Sequence, residues 1–337
     1  MKAILKLLTY IGITILMLIV TLYATLLLIC YGPSKKARNL FVTTFLETGA
    51  LKFVVGLVMP SSQVQKIVNS NSLIELKADV DEELIDVSKV SDEIEIKEIS
   101  GDNFYATLMI VHDPSRVKVA TTYPFGEYGE TLDKIVKDNN AIGGVNGGIY
   151  YSSGNKGGYP MGVVVSGGQI LWNKPSGVGY YLIGFDENNI LRIISLSGHN
   201  PTSVEKLIKD EKIRDAVTFQ EESSDANNHF VKLIVNGEKR ESNGMGSGAN
   251  PRTVIGQRED GSVLLLVTDG RGASGHLGAT ANDLITVMEE YGAINAANID
   301  GGSSSTMYYD DKYLMTSVTL YYSNSSWRLP EAFIVEK

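Results

Sequence analysis

Asn250-Pro-Arg252-Thr-Val-Ile-Gly256-Gln-Arg-Glu-Asp260-Gly-Ser262-Val-Leu-Leu-Leu-Val-Thr268-Asp269-Gly270-Arg271 reads as two strands joined by a tight turn at Glu259-Asp260-Gly261. The second strand is apolar over five residues from Val263, as a strand covered on both faces must be. Antiparallel pairing places Arg252, at the start of the first strand, near Asp269 and Arg271, at the exit of the second. Two guanidiniums and a carboxylate then share one rim. A surface ion pair is the plainer reading and contributes little. Arginine is nevertheless the preferred two-pronged partner of phosphate.

Similar strand patterns recur through the chain. Phe104–Val111, Arg116–Thr121, Gly162–Val165, Tyr180–Phe185, Ile190–Ile194, Val231–Val235, Ala293–Ile299 and Ala332–Val335 all fit. Three helices are expected, after Thr131, Thr202 and Thr280. The last has Asp283 placed for a capping box and an apolar face at Leu284, Val287, Met288 and Tyr291. Strands outnumber helices and do not alternate with them. A doubly wound parallel sheet is therefore disfavoured, and the expected class is α+β: one strand-rich catalytic domain with few helices.

Two further glycine-rich segments follow apolar strands. Ala141-Ile-Gly-Gly-Val-Asn146-Gly-Gly-Ile-Tyr150 ends in an Asn-Gly-Gly that reads as a turn, or as an amide presented where backbone comes close. Ala296-Ala-Asn298-Ile-Asp300-Gly301-Gly302-Ser303-Ser-Ser-Thr306 ends in a turn whose successive N–H groups can cradle an anion. No Lys follows these glycines, so a P-loop is excluded. No G-x-S-x-G elbow is present, so Ser303–Ser305 are weak nucleophiles. The four histidines lack metal-ligand spacing, although His276 lies in the loop after Arg271. A single cysteine, Cys30, excludes an internal disulfide framework. The motifs call for no cofactor and no metal.

The N-terminus differs from the rest. Leu7 to Tyr31 is a run of 25 residues without a charge, enough to span a bilayer as a helix. A cleaved signal peptide is the competing reading, but the run is long and no small-residue cleavage site follows it. Lys2 and Lys6 precede the span, and Lys35, Lys36 and Arg38 follow it, so charge alone does not orient it. The expected organisation is an anchor over 1–38, a juxtamembrane segment over 39–92, and the domain over 93–337. Within 39–59, Glu47 and Lys52 interrupt a second apolar stretch, which reads as a helix on the membrane surface or packed on the domain. Residues 75–102 carry eleven acids and three lysines and read as linker, then a first strand with Ile94, Ile96 and Ile99. Outside the first 40 residues the chain holds 25 basic and 39 acidic groups, which argues against a nucleic-acid partner.

Taken in order, Asn146-Gly-Gly, Pro251-Arg-Thr-Val-Ile-Gly, Asp269-Gly-Arg, Gly278-Ala-Thr before a helix, and Asn298-Ile-Asp-Gly-Gly-Ser-Ser resemble the phosphodiester glycosidase family over roughly residues 100–337. The Trp327-Arg-Leu-Pro-Glu-Ala-Phe-Ile-Val ending resembles that family's last strand. Ile149-Tyr150 departs from the aromatic pair that often follows its Asn-Gly-Gly. The resemblance implies cleavage of a sugar C1–O bond whose leaving group is a phosphate monoester, in a carbohydrate phosphodiester substrate. It implies Asp300 first, and Asp269 second, as the catalytic carboxylate. Arg252 and Arg271 would neutralise the leaving phosphate, Asn146 and Asn298 would hold sugar hydroxyls, and Gly301, Gly302, Ser303, Thr306 and His276 would line the site. Bacterial members tethered outside the cell imply a single-pass cell-membrane protein, anchored through Leu7–Tyr31 with an extracytoplasmic domain acting on surface glycan or exopolysaccharide. Two other readings stand beside this one: a non-catalytic glycan-binding or assembly module, and a hydrolase for another anionic glycan linkage.

Overall fold

The structure is a computed structural model that describes residues 2–48, 51–151, 153–223, 228–319 and 324–337. Three antiparallel sheets enclose a common apolar core. The largest orders its strands as Ile94–Ser100, Tyr105–Val111, Val263–Thr268, Thr253–Arg258, Ala293–Ile299, Lys232–Val235 and Glu238–Lys239. The second runs Leu191–Ser195, Tyr180–Asp186, Ile213–Gln220, Gly162–Ser166, Gln169–Lys174. The third runs Lys312–Met315, Met307–Tyr309, Ala141–Asn146, Glu331–Glu336, Val117–Thr121. Leu265 and Val267 of the first sheet, Ile183 and Phe185 of the second, and Val145 and Phe333 of the third meet in this core. Each such side chain contributes roughly 1.5–3 kcal/mol by leaving water. The mixed, strand-rich α+β class expected from the sequence is the observed one.

Seven α-helices are present among the described residues. α1 spans Lys2–Tyr31, α2 Lys35–Leu46, α3 Phe53–Val58, α4 Ser61–Asn69, α5 Leu132–Asp138, α6 Pro201–Asp210 and α7 Ala281–Glu290. The last three each cover the outer face of one sheet. α7 packs Leu284, Ile285 and Met288 on Val254, Leu264 and Leu266 of the largest. α6 packs Val204 and Ile208 on Val163, Val165 and Leu182. α5 packs Leu132, Ile135 and Val136 on Ala120, Ala332 and Ile334. The alternation along Ile94–Ser100 follows from this layering: Ile94 and Ile96 face the central core, and Ile99 faces the α7 layer.

The predicted box at α7 is formed. Thr280 caps it, its N–H donating to Asp283 Oδ2 at 2.8 Å while Asp283 N–H donates to Thr280 Oγ1 at 3.3 Å. α6 starts earlier than expected, because Asn200 rather than Thr202 is the cap, paired reciprocally with Ser203. The central strand Ile213–Gln220 carries no apolar alternation at its start, because Arg214 and Asp215 interrupt it. Asp215 is buried there, accepting hydrogen bonds from Val119 N, Gly167 N and Arg214 Nη1 at 3.1, 3.2 and 2.5 Å.

α1 is long and apolar enough to cross a membrane by length and composition, and its side chains are largely exposed. α2–α4 form a small unit with the end of α1, around Cys30, Val42, Leu46, Val55 and Val64. Of the two readings of residues 39–59, the structure has the one in which the helix packs on the domain: α2 docks through Thr44, Glu47 and Thr48. The acidic segment read as linker also lies on the domain. Leu73 bridges Ser242, Leu76 enters the core, Lys232 Nζ donates to Ala78 O at 2.6 Å, and Asp86 N donates to Glu259 O at 2.7 Å. The segment before residue 93 therefore packs on the domain from Leu73 onward, as α2 does through Glu47.

Candidate active site

Sheet order brings the separate motifs to one edge. The Val263–Thr268, Thr253–Arg258 and Ala293–Ile299 strands are neighbours, with Thr253 opposite both Val267 and Ile299. Arg252 precedes the middle strand, Asp269–Arg271 follows one neighbour, and Asp300 follows the other. The Ala141–Asn146 strand of the third sheet meets this edge through Asn146. Its Oδ1 accepts from Thr253 Oγ1 at 2.7 Å and from Thr306 N at 3.2 Å, and its Nδ2 donates to Asp300 O at 2.7 Å.

Asn146 is therefore a latch between sheets. Asn298 is buried, with Nδ2 donating to Phe230 O at 3.0 Å and Oδ1 left without a hydrogen-bond partner among the described residues. Thr306 is buried, and its hydroxyl donates to Met315 O at 2.9 Å. Asp269 accepts from Tyr105 N at 2.8 Å and pairs through its other oxygen with His276 Nδ1 at 2.6 Å. Asp269 thus ties His276 of the 270–278 loop to the strand that carries Tyr105. The Asn146-Gly-Gly segment is a close approach rather than a hairpin turn. A Cβ on Gly147 would lie 2.8 Å from Glu331 Cγ, and one on Gly148 would lie 2.3 Å from Thr218 O.

What the edge does gather is Arg271, Asp300 and the Gly301–Ser304 turn. Arg271 sits in the left-handed region at φ 54° and donates from Nη1 to Ser303 Oγ at 2.8 Å. Ser304 and Gly301 N–H hydrogen-bond the Asp300 carboxylate. Tyr150 OH lies 3.0 Å from Ser304 Oγ. Three participants were not anticipated as such. Glu331 is buried beside Gly147 and Gly148, at the start of the last strand. It is the one charged residue between Leu329 and Val335, and that was its signal in the sequence. Tyr150 was read only as a departure from a pattern. Glu47 was read as a charge interrupting an apolar stretch. Its carboxylate pairs with Arg252 Nη2 and accepts from Gly248 N at 2.8 Å, Asn228 Nδ2 at 2.6 Å and Asn250 Nδ2 at 3.2 Å. Arg252 also lies over the Phe230 ring at 4.8 Å and donates to Gly248 O at 3.0 Å.

The charges at this edge perturb one another. Burial pushes the Asp300 carboxyl up to about 7, against the pull of Ser304, Gly301 N–H and the Arg271 guanidinium. Burial and the neighbouring Asp300 charge hold Glu331 well above the carboxylate range. Burial, with Arg252 pushing the same way and Asp300 opposing, lowers Arg271 to about 10. His229 is lowered to about 4 by burial and by Arg252. Near neutral pH Arg271 is thus charged and Asp300 is poised between its two forms, while burial favours the protonated form of Glu331. Among the described residues, no three His, Cys, Asp or Glu side chains gather to hold a metal ion.

A titratable carboxyl near neutrality, a fixed guanidinium and a backbone turn rich in N–H donors are the equipment of a hydrolase that works beside an anion. The model of one enzyme family, phosphodiester glycosidase, matches residues 139–336, more than half of the chain, and the chain belongs to that family. The fold is similar to the catalytic domain of zebrafish N-acetylglucosamine-1-phosphodiester α-N-acetylglucosaminidase, auto-inhibited by its pro-peptide. The TM-score is 0.57 at 16% identity, covering 75% of this chain and 86% of that one. A curated relative, the SPbeta prophage-derived uncharacterized protein YomE of Bacillus subtilis strain 168, is 40% identical over 65 residues. That match spans 19% of this chain and a tenth of the relative's length.

Proposed function

We propose that the chain hydrolyses the glycosidic C1–O bond of a sugar-1-phosphodiester, with Arg271 and Asp300 as its working pair. The observation that carries this reading is the Arg271 guanidinium seated on Ser303, against the Gly301-Gly302 turn and next to Asp300. When the C1–O bond breaks, its electron pair goes to the phosphate oxygen, and the leaving phosphate gains negative charge. Arg271, with Gly302 and Ser303 beside it, offsets that charge in a site that excludes most water. Phosphate leaves readily, so strong general-acid help is not required. The Asp300 carboxylate supports the electron-poor anomeric carbon, by attack on it or by activating the incoming water. The upward shift of Glu331 disfavours a second negative charge beside an ionised Asp300. The name of the zebrafish neighbour, itself a sugar-1-phosphodiester hydrolase, supports the substrate class.

In this reading α1 anchors the chain as a single span, and the domain faces cell-surface glycan or exopolysaccharide outside the membrane. Turnover of a chromogenic N-acetylhexosamine-1-phosphodiester by the full chain in detergent tests the chemistry. Release of free sugar and phosphate monoester supports it. Saturable binding with no release would make the chain a glycan-binding module instead. Protease added to sealed spheroplasts tests the topology, and protection of the whole body would refute it.

A further inference from the structure

α2 and α4, together with the loop around Gly244, leave a groove of about 650 Å³ on the face of the helical unit nearest the end of α1. Three cations line it, Lys35 and Arg38 from α2 and Lys66 from α4, and no acid does. Among the described residues none of the three is ion-paired with an acid. Met59 and Ile67 supply apolar wall, and Gln63 supplies a polar one. The volume falls within the roughly 300–1,000 Å³ of ordinary small-molecule sites.

Two features make this more than a solvated basic face. α2 opens with Lys35, Lys36 and Arg38, and its first turn has no acid, the reverse of what its dipole favours. An anion bound there relieves both the dipole and the crowding of like charges. The groove also begins just beyond Tyr31, the last residue of α1, where a span enters the headgroup layer. Basic residues on the outer side of a span run against the usual charge bias, so an anionic partner at that level accounts for them.

We propose that this groove is a binding site for the phosphate headgroup of an anionic phospholipid, with Lys35, Arg38 and Lys66 as its contacts and Met59 and Ile67 against the glycerol. The site is separate from the Arg271–Asp300 edge and rests on the reading of α1 as an anchor. It recognises a phosphodiester by charge, as a free phosphate site would, and the two sources are told apart below.

The full chain, purified in non-ionic detergent, is exposed to equal amounts of phosphatidylglycerol and phosphatidylcholine and examined by native mass spectrometry. Bound phosphatidylglycerol should exceed phosphatidylcholine by about tenfold or more. The Lys35→Gln/Arg38→Gln/Lys66→Gln variant should bring the ratio close to one, with its circular dichroism unchanged. Lys66→Gln alone, which leaves α2 intact, should lower the ratio part of the way. A ratio near one in the native protein, or the same ratio in the triple variant, would overturn the proposal. Displacement of the lipid by millimolar inorganic phosphate would mark a free-anion site and overturn the lipid assignment. Alkaline carbonate extraction of cell membranes tests the anchor independently. Release of the chain there sinks the anchor reading, whereas an integral chain with no headgroup preference sinks only the groove.

Discussion

Arg271 and Gly302 stand so close that a Cβ on the glycine would lie 2.6 Å from Arg271 Nη2. Gly302 also holds φ at 63°, where a side chain is strained. The turn and the guanidinium are thus fitted to each other by the absence of a side chain. Gly302→Ala should lower stability by about 1–2 kcal/mol from backbone strain alone and displace Arg271. Thermal unfolding and kcat/KM measured together check this, and a fully active variant would mean that the contact yields without consequence.

Arg271→Lys keeps a positive charge and loses the planar fork that reaches Ser303. At least a tenfold fall in kcat/KM is expected, about 1.4 kcal/mol, with the fold retained. Kinetics unchanged from the native enzyme would remove Arg271 from the anion seat.

Asp300→Asn should fold and lose activity by about 10³, on the order of 4 kcal/mol. In the native enzyme the carboxylate is the working form, so kcat/KM should rise with pH through about 7. Stability runs the other way. Asp300 titrates higher in the folded chain than in the unfolded one, so its contribution is present below about pH 4 and lost as pH rises through about 7. Urea unfolding at several pH values should show stability falling across that interval in the native protein and less so in Asp300→Asn.

Glu331→Gln probes the second carboxyl. Burial favours the protonated acid, and an amide mimics that form, so the variant should fold with nearly native stability near neutral pH. At alkaline pH it should be more stable than the parent, because it has no proton to lose from a buried site. Equal alkaline stability of the two proteins would place Glu331 in contact with solvent.

Glu47→Gln leaves Arg252 buried without its carboxylate. The expected loss is about 3 kcal/mol, and residues 51–60 should become open to protease as α2 undocks. A double-mutant cycle with Arg252→Gln should recover much of the loss. Additive effects would mean the two residues act independently.

The sequence carried the strand-rich class, the core strands and the α7 cap, because these depend on local periodicity and on neighbours three residues apart. It also carried the convergence of Arg252, Asp269 and Arg271, because antiparallel pairing of their strands sends those residues to one edge. Partner choice was not legible. Asn146 and Asn298 looked free because their partners are distant in sequence: for Asn146 the Asp300 carbonyl, the Thr253 hydroxyl and the Thr306 N–H, and for Asn298 Nδ2 the Phe230 carbonyl. The strand at Ile213–Gln220 stayed hidden because Asp215 is buried by bonds from two other segments, which no local pattern announces. Glu47 looked like an interruption because its four donors lie roughly 180 or more residues away in the chain.

The docking of Glu47 onto Arg252 also fixes a length. Three residues separate Tyr31 from Lys35, and α2 is 12 residues long, so chain geometry lets Glu47 stand no farther than roughly 30 Å from the end of α1. For a domain held in a bilayer by α1, that is a short leash. The reacting edge keeps a constant altitude, so in the proposed reading a substrate must come down to the lipid surface to be cut. Lengthening the chain between α1 and α2 would leave that altitude unchanged only if α2 itself held to the membrane.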